Sequence, residues 1–146
     1  MRRSSLRIMP LLISLLLAGT GPALPQGDPE VTRMLVDSYD LLEAGQPDQA
    51  KAIFQDILQR DPGNPLALNN LAAVLVKEKK YREALKNLER ALPRAKGYKI
   101  KVNRVCAVDG LCLAFRPLQE VYGDQDLAPL VQLNINMVKA RLTTRE

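Results

Sequence analysis

Histidine and tryptophan are absent from the chain, and beyond residue 27 the only serine is Ser38. Without an imidazole there is no Ser-His or Cys-His nucleophile pair, no histidine metal ligand and no general base with an unperturbed pKa near neutrality. The sequence therefore predicts a protein that is not an enzyme and that holds neither a cofactor nor a metal ion. With 146 residues, 47% of them apolar and 25% charged, the composition fits one small globular domain.

The first residues have the pattern of an export signal. Three arginines precede an apolar stretch at residues 8–18, and small or helix-breaking residues follow. This stretch is shorter than the roughly 20 residues that cross a bilayer, but it suits the core of a signal peptide. Small residues at Gly21 and Ala23 place cleavage after Ala23 or within a few residues of it. We predict a signal peptide at 1–23, a short linker at 24–30 and a periplasmic or secreted protein; an uncleaved anchor or an apolar helix of the fold is the alternative.

Charge is unevenly distributed. Residues 28–76 carry three basic and eight acidic side chains, whereas residues 77–104, the basic zone, carry eleven basic and three acidic. Such a zone could attract anionic lipid at a membrane surface or nucleic acid. Only Tyr81 and Tyr98 could stack on bases, and export removes the usual nucleic-acid ligands, so nucleic acid is disfavoured. A solvated helix face is the favoured interpretation.

The chain repeats itself at a spacing of 34 residues. Side chains of matching size and polarity recur at this spacing: Met34 and Leu68, Ser38 and Ala72, Ala50 and Ala84, Phe54 and Leu88. A fixed period of this kind predicts stacked copies of one supersecondary unit.

Helix signals divide each copy into two antiparallel helices. Asp28-Pro29 and Asn64-Pro65 each supply a side chain for the N-cap followed by proline at the first helical position. Pro47 starts the second helix, and the fourth begins after Lys80. Apolar residues recur at helical spacing in all four segments, and Pro93 and Gly97 close the last one.

The segment from about Val31 to Lys96 resembles two tetratricopeptide repeats. The family pattern is found in the first copy at Ser38, Ala50, Phe54 and Pro62, and in the second at Ala72, Ala84 and Leu88, with the typical run Asn70-Leu71-Ala72. Met34 and Leu68 replace the usual bulky aromatic residue, and the second copy lacks proline at the expected place. The resemblance implies a mainly α fold, with two helix-turn-helix repeats at 31–97 forming a short right-handed α-solenoid.

The resemblance also implies a groove lined by the first helix of each repeat. The residues expected to face this groove and to contact a protein or peptide partner are Leu35, Tyr39, Leu42, Leu66, Asn69, Ala73, Val76 and Lys77. Such a surface suits an extended peptide or a helix, and it lacks the basic residues that would clamp a C-terminal carboxylate. For each single residue, burial by packing is the favoured alternative, because so short an array leaves the groove shallow.

Residues 98–146 are predicted to cap the second repeat, because two repeats are fewer than such stacks normally need. Alternating apolar and polar residues predict a β-hairpin at about 99–116. Helical spacing after the N-cap Asp126 predicts a capping helix at about 126–143, with Asn134 and Asn136 exposed.

The two cysteines, Cys106 and Cys112, lie in the predicted hairpin. A three-residue loop would pair Ala107 with Leu111 and place the cysteines opposite each other, whereas a two-residue loop would place Cys106 against Leu113. We prefer the first register because it brings the thiols together. In an oxidising compartment this predicts a Cys106–Cys112 disulfide, with two buried free thiols as the alternative.

Taken together, these patterns predict an exported, non-enzymatic adaptor that mediates protein–protein interaction in a bacterial envelope assembly, secretion or maturation complex. The alternative is a peripheral binder of anionic lipid or nucleic acid that acts through the basic zone. None of the patterns specifies the partner's identity or the oligomeric state.

Overall fold

Helices dominate the architecture. The computed structural model describes residues 28–100, 102–108, 111–117 and 125–144, so the predicted signal peptide lies outside the described residues. The elements are α1 (Pro29–Glu43), α2 (Pro47–Arg60), α3 (Pro65–Lys77), α4 (Tyr81–Ala95), β1 (Lys99–Ile100), β2 (Val102–Val108), β3 (Leu111–Pro117), β4 (Gln125–Asp126) and α5 (Leu127–Thr143). The four consecutive helices α1 to α4 form the two predicted helix pairs. Of the helices in the described ranges, none is both long enough and apolar enough to cross a membrane.

The N-caps predicted from the sequence are confirmed. The Asp28 carboxylate accepts a hydrogen bond from the Glu30 N–H at 2.9 Å, and the Asn64 side-chain oxygen accepts one from the Ala67 N–H at 3.0 Å. At α5 the Asp126 carboxylate accepts a bond from the Ala128 N–H at 3.0 Å. Each cap satisfies a backbone donor that the helix itself leaves without a partner, so these residues fix where the helices begin. At its other end α4 runs through Pro93 to Ala95, and Gly97 follows with positive φ, so the helix ends between the two residues predicted to close it.

The turn inside each helix pair recurs with the same geometry 34 residues later. Gly45 and Lys79 occupy equivalent positions and both have positive φ, 74° and 61°. The hydrogen bonds that close the two turns are Gln46 N–H to Leu41 O at 2.9 Å and Lys80 N–H to Leu75 O at 2.8 Å. A residue in the left-handed region is the usual way to end a helix, and glycine adopts that region without a steric cost. The second turn achieves the same conformation with a lysine.

Helix α3 lies at the centre of the molecule. Every residue from Pro65 to Val76 is buried, which explains why its sequence is apolar on nearly all sides. It contacts α2 of the first pair, α4 of its own pair and strand β3. The small side chains of Ala50, Ala72, Ala84 and Ala91 are buried in the helical core.

The C-terminal strands form two separate two-stranded antiparallel sheets. In the hairpin, Val108 pairs with Leu111, Ala107 with Cys112 and Cys106 with Ala114, with a register shift between the last two pairs. The predicted register, with Ala107 opposite Leu111 and Cys106 opposite Cys112, is therefore wrong. The pairing leaves two residues between the strands, in agreement with the preference of Asp-Gly for two-residue hairpin loops. The cysteine side chains lie outside the described residues, and the disulfide stays a prediction.

Strand β1 pairs with β4 and not with the hairpin, which begins at Val102. Helix α5 follows directly and packs along α4, burying Leu127, Val131, Ile135 and Val138. Asn136 is exposed as predicted, but the prediction that Asn134 is exposed is wrong. Its side chain is buried and donates a hydrogen bond to Asn69 of α3.

Candidate protein-binding surface

The surface in question is formed by α1 and α3, the first helices of the two pairs, and β3 lies across both of them. Six of the eight predicted groove residues are buried: Leu35, Tyr39, Leu66, Asn69, Ala73 and Val76. Leu42 is half-buried and Lys77 is exposed. For these six the structure shows the burial that the alternative expects, and their contact with a partner stays a prediction. We refer to this face as the α1–α3 surface.

Asn70 of α3 fastens β3 to this surface. Its Nδ2 donates a hydrogen bond to the Phe115 carbonyl oxygen at 2.8 Å, and its Oδ1 accepts one from the Phe115 N–H at 2.8 Å. A side-chain amide offers a donor and an acceptor side by side, so it can satisfy both polar groups of one extended residue. Both residues are buried. Asn70 thus bonds only to main-chain groups of Phe115, and the Phe115 side chain contributes separately by packing in the core.

A chain of three buried amides links α5, α3 and β3. Asn134 Nδ2 donates to Asn69 Oδ1 at 2.9 Å, and Asn69 Nδ2 donates to Asn70 Oδ1 at 3.2 Å. Leaving a buried polar group without a partner costs about 1–3 kcal/mol, so these amides define how the elements meet. Asn70 and Asn134 were not among the predicted site residues. Two adjacent asparagines inside the apolar run of α3 were the signal that could have identified one of them.

The rim of the surface is polar. Tyr39 is buried, and its hydroxyl donates to Glu43 Oε1 at 3.2 Å. Glu43 and Lys77 are exposed at equivalent C-terminal positions of α1 and α3. The surface thus combines an apolar floor, a backbone-binding amide and one side chain of each charge at its edge.

An ion-pair group joins the two repeats outside this surface. Glu78, the residue after α3, contacts the Nζ atoms of Lys51 and Lys80 at 2.7 Å each. Hydrogen bonds from Lys51 and then Lys80 hold the pKa of Glu78 below its ordinary value. The same contact raises the pKa of Lys80.

Part of the basic zone is engaged by the turn between α2 and α3. Arg94 lies 3.4 Å from an Asp61 carboxylate oxygen, and Arg90 donates to the Pro62 carbonyl oxygen at 3.2 Å. Burial raises the pKa of Tyr98, and the negative charge of Asp61 adds to this effect. An open cavity of about 280 Å³ lies beside the start of α4, lined by Lys79, Lys80, Tyr81, Arg82, Glu83 and Leu142. Within the described ranges, no cluster of three potential metal ligands occurs.

Residues 41–107 match the family described as Tetratricopeptide repeat. The match covers less than half of the chain and runs from the end of α1 through all of α2, α3 and α4. It supports the resemblance on which the predicted fold depends. Repeats of this class generally mediate protein–protein interaction and generally belong to scaffolds without catalytic activity. No curated protein and no solved structure gave a significant match.

Proposed function

We propose that this protein is a non-enzymatic adaptor of the tetratricopeptide repeat class that holds a protein or peptide partner on the α1–α3 surface. The observation that carries the proposal is the hold of Asn70 on Phe115. In this molecule the first helices already accommodate an extended polypeptide, through its backbone and through buried side chains. A surface that binds main-chain groups and apolar side chains in this way is suited to protein ligands.

Site-specific cross-linking tests this proposal directly. A photoreactive side chain placed at Glu43 or Lys77, the exposed rim positions, is expected to yield discrete adducts with protein partners in the native cell. The matched control is the same group at Leu133, which is 54% exposed on α5. Adducts formed only from Leu133 would move the binding surface to α5, and the absence of adducts from all three positions would contradict the adaptor function.

We also propose that residues 1–23 direct export and that the partner belongs to a bacterial envelope assembly, secretion or maturation complex. The basic head and the short apolar core of these residues support the export step. Fusion of residues 1–30 to a reporter is expected to deliver the reporter outside the cytoplasm. Retention of the fusion inside the cell would reject export.

The Cys106–Cys112 disulfide depends on the same step, because an oxidising compartment is what favours it. Exported protein is expected to show no reaction with a maleimide until a reductant is added. Labelling of both thiols in native protein would favour the alternative of two free cysteines.

The basic zone supplies the competing function, attachment to anionic lipid or nucleic acid. Ion pairing with phosphates weakens steeply as salt rises, whereas binding on the apolar α1–α3 surface does not. Partner binding that persists at high salt is expected. Binding to anionic vesicles or DNA that is lost with salt, with no protein partner found, would favour the alternative.

A further inference from the structure

We infer that β3 is an internal ligand of the α1–α3 surface and that a partner binds there by displacing it. The partner segment is then an extended strand that presents a bulky apolar side chain at the place of Phe115. This inference rests on the proposed function for the existence of a partner. The occupancy of the surface by β3 can be tested with the protein alone.

The first argument is the location of the strand. Strand β3 contacts α1, α3 and α5, and its described side chains, Ala114 and Phe115, are buried. The surface that β3 covers is the one that resemblance to the repeat family assigns to ligands. A segment of this chain therefore lies where a partner is expected.

The second argument is the chemistry of the hold. Asn70 addresses only the N–H and C=O of Phe115, groups that almost any extended residue offers. Discrimination comes from the apolar side chain, since Phe115 is only 1% exposed. A strand from another protein with an equivalent side chain can make the same hydrogen bonds to Asn70 and the same apolar contact, so it can compete with β3.

The third argument is that the hairpin can be released as a unit. β2 and β3 pair with each other, whereas β1 pairs with β4, and the two sheets are separate. The β1–β4 pair leads directly into α5, which packs on α4. If the hairpin is displaced, the pairing of β2 with β3, the pairing of β1 with β4 and the contact of α5 with α4 can therefore all remain.

The test uses a fluorescent peptide with the sequence of residues 111–117 and serine in place of Cys112. The native chain is expected to bind it weakly, because its own strand is in place. In Phe115→Ala the internal strand is weakened, so the peptide is expected to bind about tenfold more tightly or better, as apparent affinity follows the fraction of open surface.

Three controls define the site. Adding Asn70→Ala to Phe115→Ala removes the amide and is expected to abolish the gain, whereas adding Asn136→Ala, an exposed asparagine on α5, is expected to preserve it. A peptide with alanine at the position of Phe115 should bind neither the native chain nor Phe115→Ala. Equal binding to the native chain and to Phe115→Ala, or a gain that survives Asn70→Ala, would show that β3 is an ordinary part of the core.

Hydrogen exchange of the native chain keeps the inference testable if Phe115→Ala does not fold. The Phe115 amide is expected to exchange faster than the amides in the middle of α3, because the hairpin opens without global unfolding. If the Phe115 amide and the α3 amides both exchange only through global unfolding, the inference that β3 can be displaced is wrong. Peptide binding without any adduct from Glu43 or Lys77 in cells would leave β3 as an internal ligand and reject partner binding on the α1–α3 surface. Adducts from these positions without peptide binding would support the partner and reject the internal ligand.

Discussion

The first helices of the two repeats, α1 and α3, share one backbone design but differ in their surroundings. Helix α3 buries twelve consecutive residues, Pro65 to Val76, whereas α1 buries four: Val31, Leu35, Ser38 and Tyr39. The difference is clear at equivalent positions, because Asp37 of α1 is exposed and Leu71 of α3 is 8% exposed. α3 has a preceding helix pair to contact, and α1 has none in the described part of the chain. Whether a given repeat position holds a polar or an apolar side chain therefore depends on whether another helix pair packs against it.

Exchanging the side chains of this pair should have the largest effect. Leu71→Asp places an unpaired carboxylate in the core and is expected to cost more than about 4 kcal/mol of unfolding free energy, enough to abolish cooperative unfolding. Asp37→Leu changes only a solvent-facing position and should alter stability by no more than about 0.5 kcal/mol. Urea denaturation followed by far-UV circular dichroism measures both. Similar losses in the two variants would mean that α1 has a covered face of its own.

Equivalent core positions within the pairs should instead behave alike. Phe54 and Leu88 are both fully buried at the same place in the second helix of each repeat. Phe54→Ala is expected to cost about 4 kcal/mol and Leu88→Ala about 3 kcal/mol, through lost burial and the cavity left behind. The exposed Leu133→Ala serves as the control and should change little. A much smaller loss for Phe54→Ala would indicate that the first repeat unfolds separately from the second.

The two turns offer a finer comparison. Gly45→Lys should cost about 1 kcal/mol, because a side chain at positive φ is strained even though a Cβ there would meet no atom within 4 Å. Lys79→Gly should relieve the same strain and raise stability by about 0.5–1 kcal/mol. Thermal unfolding of the two variants checks the opposite signs. Destabilisation by Lys79→Gly would show that the lysine makes contacts that outweigh its backbone conformation.

The smallest expected effect concerns the ion pairs between the repeats. Because the folded pKa of Glu78 is lowered, its contribution is complete above the ordinary pKa of a glutamate and is lost as pH falls through the folded pKa. Glu78→Gln is therefore expected to cost about 0.5 kcal/mol at neutral pH and progressively less in acid. Urea midpoints measured between neutral and acidic pH would reveal this convergence. A deficit that does not change with pH would assign the effect to packing.

Local signals gave the helical part of the fold from the sequence. Caps at Asp28, Asn64 and Asp126 act within a few residues, and the 34-residue period identifies the partner of each helix, so both are visible along the chain. The occupant of the α1–α3 surface could not be found in this way. It depends on Asn70 meeting Phe115 across 45 positions, and no periodicity encodes that contact.

The hairpin register and the burial of Asn134 were missed for related reasons. The preferred register relied on bringing Cys106 and Cys112 together, although the Asp-Gly pair between the strands favours the shorter loop. The helical spacing of α5 predicts an exposed Asn134, whereas its hydrogen-bond partner, Asn69, lies 65 positions away in the chain. A buried polar residue is explained by its partner, which a single helix pattern does not contain.

The polar contact that holds β3 is the neutral amide of Asn70, and this limits which changes in the medium can weaken it. Carboxamide groups gain no charge between acid and alkali, and ions in the medium do not screen an uncharged bond. Acidification or a change of ionic strength would therefore not weaken the hydrogen bonds between Asn70 and Phe115 directly. We expect displacement of β3 by a competing extended segment that bonds to Asn70 and buries its own apolar side chain at the place of Phe115.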